Sequence, residues 1–190
     1  ARLDSVDGVD GVEVNLSCPN VKAGGIEFGR TAVGCERVTR AVRAATKKWV
    51  SVKLTPASDV REVAKASEAA GADAFSIANT IPALAIDVSR RVPRLSAGSG
   101  GMSGPAFRPI ALKMVWDARQ VVKLPIIGIG GIASGEAAAE FLIAGATGLQ
   151  VGTATFADPN AAGRIRDELA LYLDEQRCFA VRELVGTLRA

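Results

Sequence analysis

The chain of 190 residues contains no histidine. The side chain that most often acts as a general base near neutral pH is therefore missing, and so is the commonest metal ligand. Cysteine is scarce too: Cys18, Cys35 and Cys178 are odd in number and far apart. They read as reduced thiols of a cytoplasmic protein rather than as a disulfide frame. Without paired cysteines at ligand spacing, a zinc or iron–sulfur site is not expected. Aromatic residues make up 5% and the net charge is +3, so neither a base-stacking platform nor a basic footprint for nucleic acid is present. No apolar run approaches the ~18 residues of a membrane helix, and no signal-peptide pattern opens the chain. No membrane association is expected.

What is present is ordinary for a globular domain: 48% hydrophobic and 23% charged residues, in a chain long enough for one real core. Short apolar runs, read as strands at 11–16, 50–54, 74–78, 124–127 and 149–151, alternate with helical spacing. A helix beginning near Thr31 puts Val38, Ala41, Val42 and Ala45 on an apolar face and Arg37, Arg40, Arg43 and Lys47 on a solvated outer one. Ser58 and Asp59 open a second helix, stopped by Gly71. Pro105 and Pro109 sit early in a third, with Ile110, Met114, Val115, Ala118 and Val122 inward. Ser134 caps a fourth that Gly145 ends, and Asp158-Pro159 opens a fifth. Residues 19–30 read as a lid loop, and 81–104 as a long excursion of the kind that usually carries function.

Strand then helix, five times over, means parallel strands with crossover helices. Ala70-Gly71-Ala72-Asp73-Ala74 and Ala144-Gly145-Ala146-Thr147-Gly148 echo one another at two helix-to-strand joints. An open doubly wound sheet and a (βα)8 TIM barrel both satisfy the pattern. Five units cannot close an eight-stranded barrel, which needs ~250 residues. Either the sheet is open, or residues 1–190 form a single domain that is the C-terminal portion of a barrel whose first three units are absent. The abrupt start without methionine fits a piece of something longer.

The chemistry gathers at the strand ends. Asn15-Leu16-Ser17-Cys18-Pro19-Asn20 closes the first strand with two amides around a thiol. With no histidine available, a thiol of pKa about 8.5 is the next group able to give up a proton near neutrality; the alternative is a small core residue. Gly130-Gly131 and Gly152-Thr153 follow the last two strands, where barrels bind phosphate with backbone N–H groups and a helix N-terminus. Gly104 can join them from the excursion. Lys53, between Val52 and Leu54, places an ammonium inside the barrel mouth, where it needs a partner; the anionic ring of a reduced flavin would be one. Asn15, Asn20, Asn79 and Thr80 are a set suited to a small planar ligand with carbonyls and ring N–H groups. A phosphate-binding lyase or isomerase using Lys53 as a Schiff base is compatible with the same residues.

Taken together, Asn15 to Asn20, Val52-Lys53-Leu54-Thr55-Pro56, Ala78-Asn79-Thr80, Gly100 to Pro105, Gly128 to Ile132 and Val151-Gly152-Thr153-Ala154 resemble, in order, the successive motifs of the dihydroorotate dehydrogenase family. Cysteine at position 18 resembles the class 1 enzymes. Gly24-Gly25-Ile26-Glu27-Phe28-Gly29 resembles the branch that passes electrons to NAD through a partner subunit carrying FAD and an iron–sulfur cluster. The resemblance implies an FMN-dependent oxidation of (S)-dihydroorotate to orotate in pyrimidine biosynthesis. Cys18 would take a proton from C5 while hydride leaves C6. Asn15, Lys53 and Ile77 would contact the FMN ring, and Gly104, Gly130, Gly131, Gly152 and Thr153 would hold its phosphate. Asn15, Asn20, Asn79 and Thr80 would hold the substrate. It also implies the (βα)8 TIM barrel, of which this chain would carry about the last five βα units, and a homodimer of catalytic chains. Dihydropyrimidine dehydrogenase, whose pyrimidine domain is similar, is the nearest alternative.

Overall fold

A computed structural model describes residues 3–16 and 26–189. Five parallel strands make one sheet: β1 (Gly11–Asn15), β2 (Trp49–Lys53), β3 (Ala74–Ile77), β4 (Ile126–Ile129) and β5 (Gly148–Gln150). Each strand lies beside its predecessor from β1 to β5. A doubly wound sheet reverses its strand order at a switch point. The unbroken order here is that of a barrel wall, which resolves the choice left by the strand–helix alternation. The crossover helices are α1 (Ala32–Ala45), α2 (Val60–Ala69), α3 (Arg108–Arg119) and α4 (Gly135–Ala144), and α5 (Ala161–Glu175) follows β5.

Register fixes which side chains share a face, because opposed residues of parallel strands point the same way. Val52, Phe75 and Ile126 are opposed in turn and fully buried; Ile77 lies opposite Gly128, where a Cβ would meet the Phe141 ring of α4. This is the face beneath the helices. The other face carries Glu13 opposite Ser51, Asn15 opposite Lys53, and Lys53 opposite Ser76. Barrel interiors are usually filled by branched apolar residues; here the first three strands line theirs with polar ones.

The joint that repeats in sequence also repeats in space. The Arg43 guanidinium at the end of α1 donates to the carbonyls of Thr46 and Lys48 and packs where a Cβ on Gly71 would fall. Arg119 at the end of α3 donates to the carbonyls of Gly145 and Leu124 and packs against Gly145 in the same way. Asp73 then accepts from the N–H of Val50, and Thr147 from that of Ile126. Gly71 and Gly145 both have positive φ, which glycine adopts without strain. Both joints lie at the amino ends of the strands, the stabilising end of a barrel.

Three expectations are corrected. The buried residues of α1 are Cys35 and Thr39, whereas Ala41 and Ala45 are exposed. The short helix Ile26–Gly29 turns that face: the Cys35 thiol donates to the Phe28 and Gly29 carbonyls, at 3.5 and 3.6 Å. Arg43 belongs to no solvated stripe, since it also pairs with Asp73 at 2.8 Å. In α3 the inward stripe runs Ala111, Met114, Val115 and Ala118, one turn on from the buried Phe107, and Ile110 is exposed. Of the lid expected at 19–30, residues 19–25 lie outside the described residues, and 26–29 are helical. The excursion is two antiparallel ribbons, Ile81–Ala83 with Gly100–Met102 and Ile86–Asp87 with Val92–Pro93. It brings Ser103 and Gly104 back to the carboxyl ends of the strands. No helix among the described residues is long and apolar enough to cross a membrane.

Candidate functional site

A cavity of about 450 Å³ opens at the carboxyl ends of the strands. Lys53 closes one side, Asn79 and Thr80 stand at the end of β3, and the corners after β4 and β5 bring Gly130, Gly131, Gly152 and Thr153. Gly104 completes the wall from the excursion. One cavity thus collects the residues singled out at four separate strand ends. Asn15 joins at the rim, where its side-chain oxygen accepts from the Asn79 amide at 3.4 Å. Ile77 is fully buried beneath the helices and does not line the cavity; the neighbouring Ala78, reached through a cis peptide bond, does. Cys18 and Asn20 lie outside the described residues.

The glycine corners are shaped by close approach. Gly104, Gly130 and Gly131 all have positive φ. A Cβ on Gly130 would meet the Phe107 ring at 2.9 Å, and one on Gly131 would meet the Gly104 carbonyl oxygen at 2.6 Å. The corner after β4 is therefore locked under the end of the excursion. Thr153 is tied to it as well, its hydroxyl bonded to that of Ser103 at 2.8 Å. Bare backbone amides facing a cavity are the donor set that phosphate oxygens use.

The helix start behind this corner contributes less than expected. Ser134 accepts from the N–H of Ala137, and the Glu168 carboxylate of α5 accepts from the N–H of Gly135 at 2.7 Å. That bond, then the Arg164 guanidinium at 2.6 Å, holds the Glu168 carboxyl below its usual range. Two donors of the first turn of α4 are thus already satisfied by the chain's own oxygens. An anion in the cavity has the glycine corners to bind, with Arg164, itself paired to Asp158 and Glu168, at the edge.

Lys53 has the partner a half-buried ammonium requires: a Glu13 carboxylate oxygen at 3.5 Å. The other Glu13 oxygen accepts from the Ser76 hydroxyl at 2.5 Å, and Ser76 lies 3.2 Å from the Ser51 hydroxyl. Sequence reading missed these three residues. The signal was there, because Glu13 stands between Val12 and Val14, and Ser51 and Ser76 interrupt apolar strands.

A family model described as dihydroorotate dehydrogenase matches residues 3–173. The dihydroorotate dehydrogenase B (NAD(+)) catalytic subunit of Citrifermentans bemidjiense is 52% identical over 189 residues, covering 99% of this chain and 62% of that protein. Its namesake from Bacteroides thetaiotaomicron is 46% identical over 187 residues, 98% of this chain and 62% of that one. The chain therefore spans less than two thirds of the length of these relatives. Among solved structures, DHODH in complex with ferulenol from Eimeria tenella matches with a TM-score of 0.78 over 94% of this chain and 54% of that chain, at 24% identity. That likeness supports the barrel fold.

Proposed function

The chain belongs to the dihydroorotate dehydrogenase family, and we propose that it forms the C-terminal five βα units of an FMN-dependent catalytic subunit that oxidises (S)-dihydroorotate to orotate in pyrimidine biosynthesis. One observation carries the reading: a single cavity joins an ammonium, Lys53, to three glycine corners, of which the one at Gly130 and Gly131 has no room for a side chain.

The residues present fit FMN. Gly104, Gly130 and Gly131 turn with positive φ at the cavity wall, and their backbone amides, with Gly152 and the Thr153 hydroxyl, suit a phosphate. Lys53 supplies positive charge for the ring, and Asn15 a polar contact. Bound there, FMN supplies a two-electron acceptor. The chain's own part is to bind, orient and take a proton. Asn15 and Asn79, bonded to each other, with Asn20 and Thr80, would present amides and a hydroxyl to the carbonyls and ring N–H groups of the substrate. Cys18 as thiolate would accept the proton from C5, while the electron pair leaves C6 as hydride. A thiol suits this role better than a hydroxyl, because it ionises far closer to working pH.

The names of the relatives, catalytic subunits of an NAD(+) enzyme, support a separate electron-transfer partner subunit; that this partner carries FAD and an iron–sulfur cluster, that the catalytic chains form a homodimer and that the protein is cytoplasmic are further parts of the proposal. The Schiff-base alternative needs a neutral amine, and Lys53 is instead ion-paired with Glu13. The test is orotate formation by the full chain with an artificial electron-accepting dye, with dihydrouracil as the competing substrate. Turnover of dihydroorotate alone is expected. Turnover of dihydrouracil alone would assign the site to the dihydropyrimidine dehydrogenase reaction.

A further inference from the structure

The polar interior of the first three strands is built around Glu13, a residue with no assigned part in the reaction above. Its carboxylate is held from two strands at once: the Ser76 hydroxyl of β3 donates to one oxygen at 2.5 Å, and the Lys53 ammonium of β2 stands 3.5 Å from the other. Ser76 is itself fully buried and backed by Ser51 at 3.2 Å. Lys53 lines the cavity, and Glu13 does not. The geometry is a tether. A lysine side chain has four rotatable bonds and much rotamer entropy to lose. Pinned at its tip from the interior side, it presents its charge at one place. The serines fix the rotamer of the carboxylate that does the pinning.

Resting on the flavin reading above, we propose that Glu13 is a positioning residue: it fixes the Lys53 ammonium at the wall of the cavity, against the bound flavin ring. The consequence has a sign that distinguishes it from simple electrostatics. If Glu13 acted only through its charge, removing it would leave Lys53 in place with its field less opposed. The ring would then sit in a more positive environment. If Glu13 acts by tethering, removing it releases Lys53 from the wall, and the positive field at the ring falls.

Sulfite reads that field. It adds to an oxidised flavin and leaves negative charge on the ring, so its affinity rises with positive charge nearby. In the FMN-loaded full chain, sulfite dissociation constants are read from the loss of visible flavin absorbance. Glu13→Gln is expected to weaken sulfite binding about tenfold or more, in the same direction as Lys53→Met. Glu13→Asp, which keeps the charge but shortens the reach, falls between Glu13→Gln and the wild type. The double variant Glu13→Gln/Lys53→Met is no weaker than Lys53→Met alone, because both remove one interaction. Ser76→Ala changes no charge and is expected to weaken binding less, in the same direction; it carries the test if Glu13→Gln does not fold. Tighter or unchanged sulfite binding in Glu13→Gln, or an unchanged constant in Ser76→Ala when that variant carries the test, overturns the proposal and leaves the flavin reading standing. A full chain that binds no flavin overturns both.

Discussion

Gly131 and Gly104 meet so closely that a Cβ on Gly131 would stand 2.6 Å from the Gly104 carbonyl oxygen and 2.9 Å from Arg108 Cβ. Gly131 also has a φ of +72°, which costs a side-chain-bearing residue about 1–3 kcal/mol. Gly131→Ala is therefore expected to destabilise the fold by at least about 2 kcal/mol in urea unfolding and to lower FMN retention. At Gly152 nothing lies within 4 Å of the added Cβ and φ is not positive. Gly152→Ala is expected to unfold within about 0.5 kcal/mol of the wild type. Equal losses at the two sites would contradict the shape assigned to the corner after β4.

Arg43 and Arg40 are both arginines of α1, and the structure gives them different weight. Arg43 is half-buried and joins Asp73 to the carbonyls of Thr46 and Lys48. Arg40 makes an exposed pair with Glu36 on its own helix. Arg43→Ala is expected to cost about 1–2 kcal/mol, because it removes three hydrogen bonds to half-buried acceptors. Arg40→Ala is expected to cost less than about 0.5 kcal/mol. Chemical unfolding of the two variants side by side checks the difference.

Acid stability carries a signature of Glu168. The Gly135 N–H, then Arg164, hold its carboxyl below the ordinary value of 4.5. A depressed folded pKa adds stability that is present above the unfolded value and lost as pH falls through the folded one. Melting temperatures from pH 7 to pH 3 should therefore fall more steeply below about pH 4.5 for the wild type than for Glu168→Gln. Parallel curves would show that the contact from α5 to the start of α4 does not form in solution.

The thiols should separate by environment. Burial pushes the Cys35 thiol up to about 11, so at pH 8 it is protonated and unreactive while the chain is folded. Iodoacetamide at pH 8 is expected to spare Cys35 until urea unfolds the chain. Inactivation should track alkylation of Cys18 and be slowed by orotate. Cys18→Ser is expected to lower turnover at neutral pH about 10²–10⁴-fold. A preserved rate would remove Cys18 as the base.

Much of the fold was legible because its signals are local. The caps at Asp59 and Ser134 and the stops at Gly71 and Gly145 fall where their chemistry predicts, and the alternation of strand and helix gave parallel pairing. What the chain alone left open was non-local. Periodicity alone fitted an open sheet as well as a barrel; the motif resemblance implied the barrel, and the order β1 to β5, which no single segment encodes, bears it out. The burial of Cys35 in place of Ala41 depends on a neighbouring turn, and Arg43 left its basic stripe to reach Asp73. At the site, the glycine corners and Lys53 were visible at strand ends. Glu13 was visible as a carboxylate between Val12 and Val14, but its partners Lys53 and Ser76 on the next two strands follow only from register.

On the proposed reading this cavity, in the full chain, takes FMN and dihydroorotate reduces it. The most direct measurement is anaerobic mixing of the purified full chain with (S)-dihydroorotate while the visible flavin absorbance is followed. The absorbance is expected to bleach with one orotate formed per flavin, and the released cofactor to be FMN. A colourless protein, or a flavin that stays oxidised in excess dihydroorotate, would contradict it.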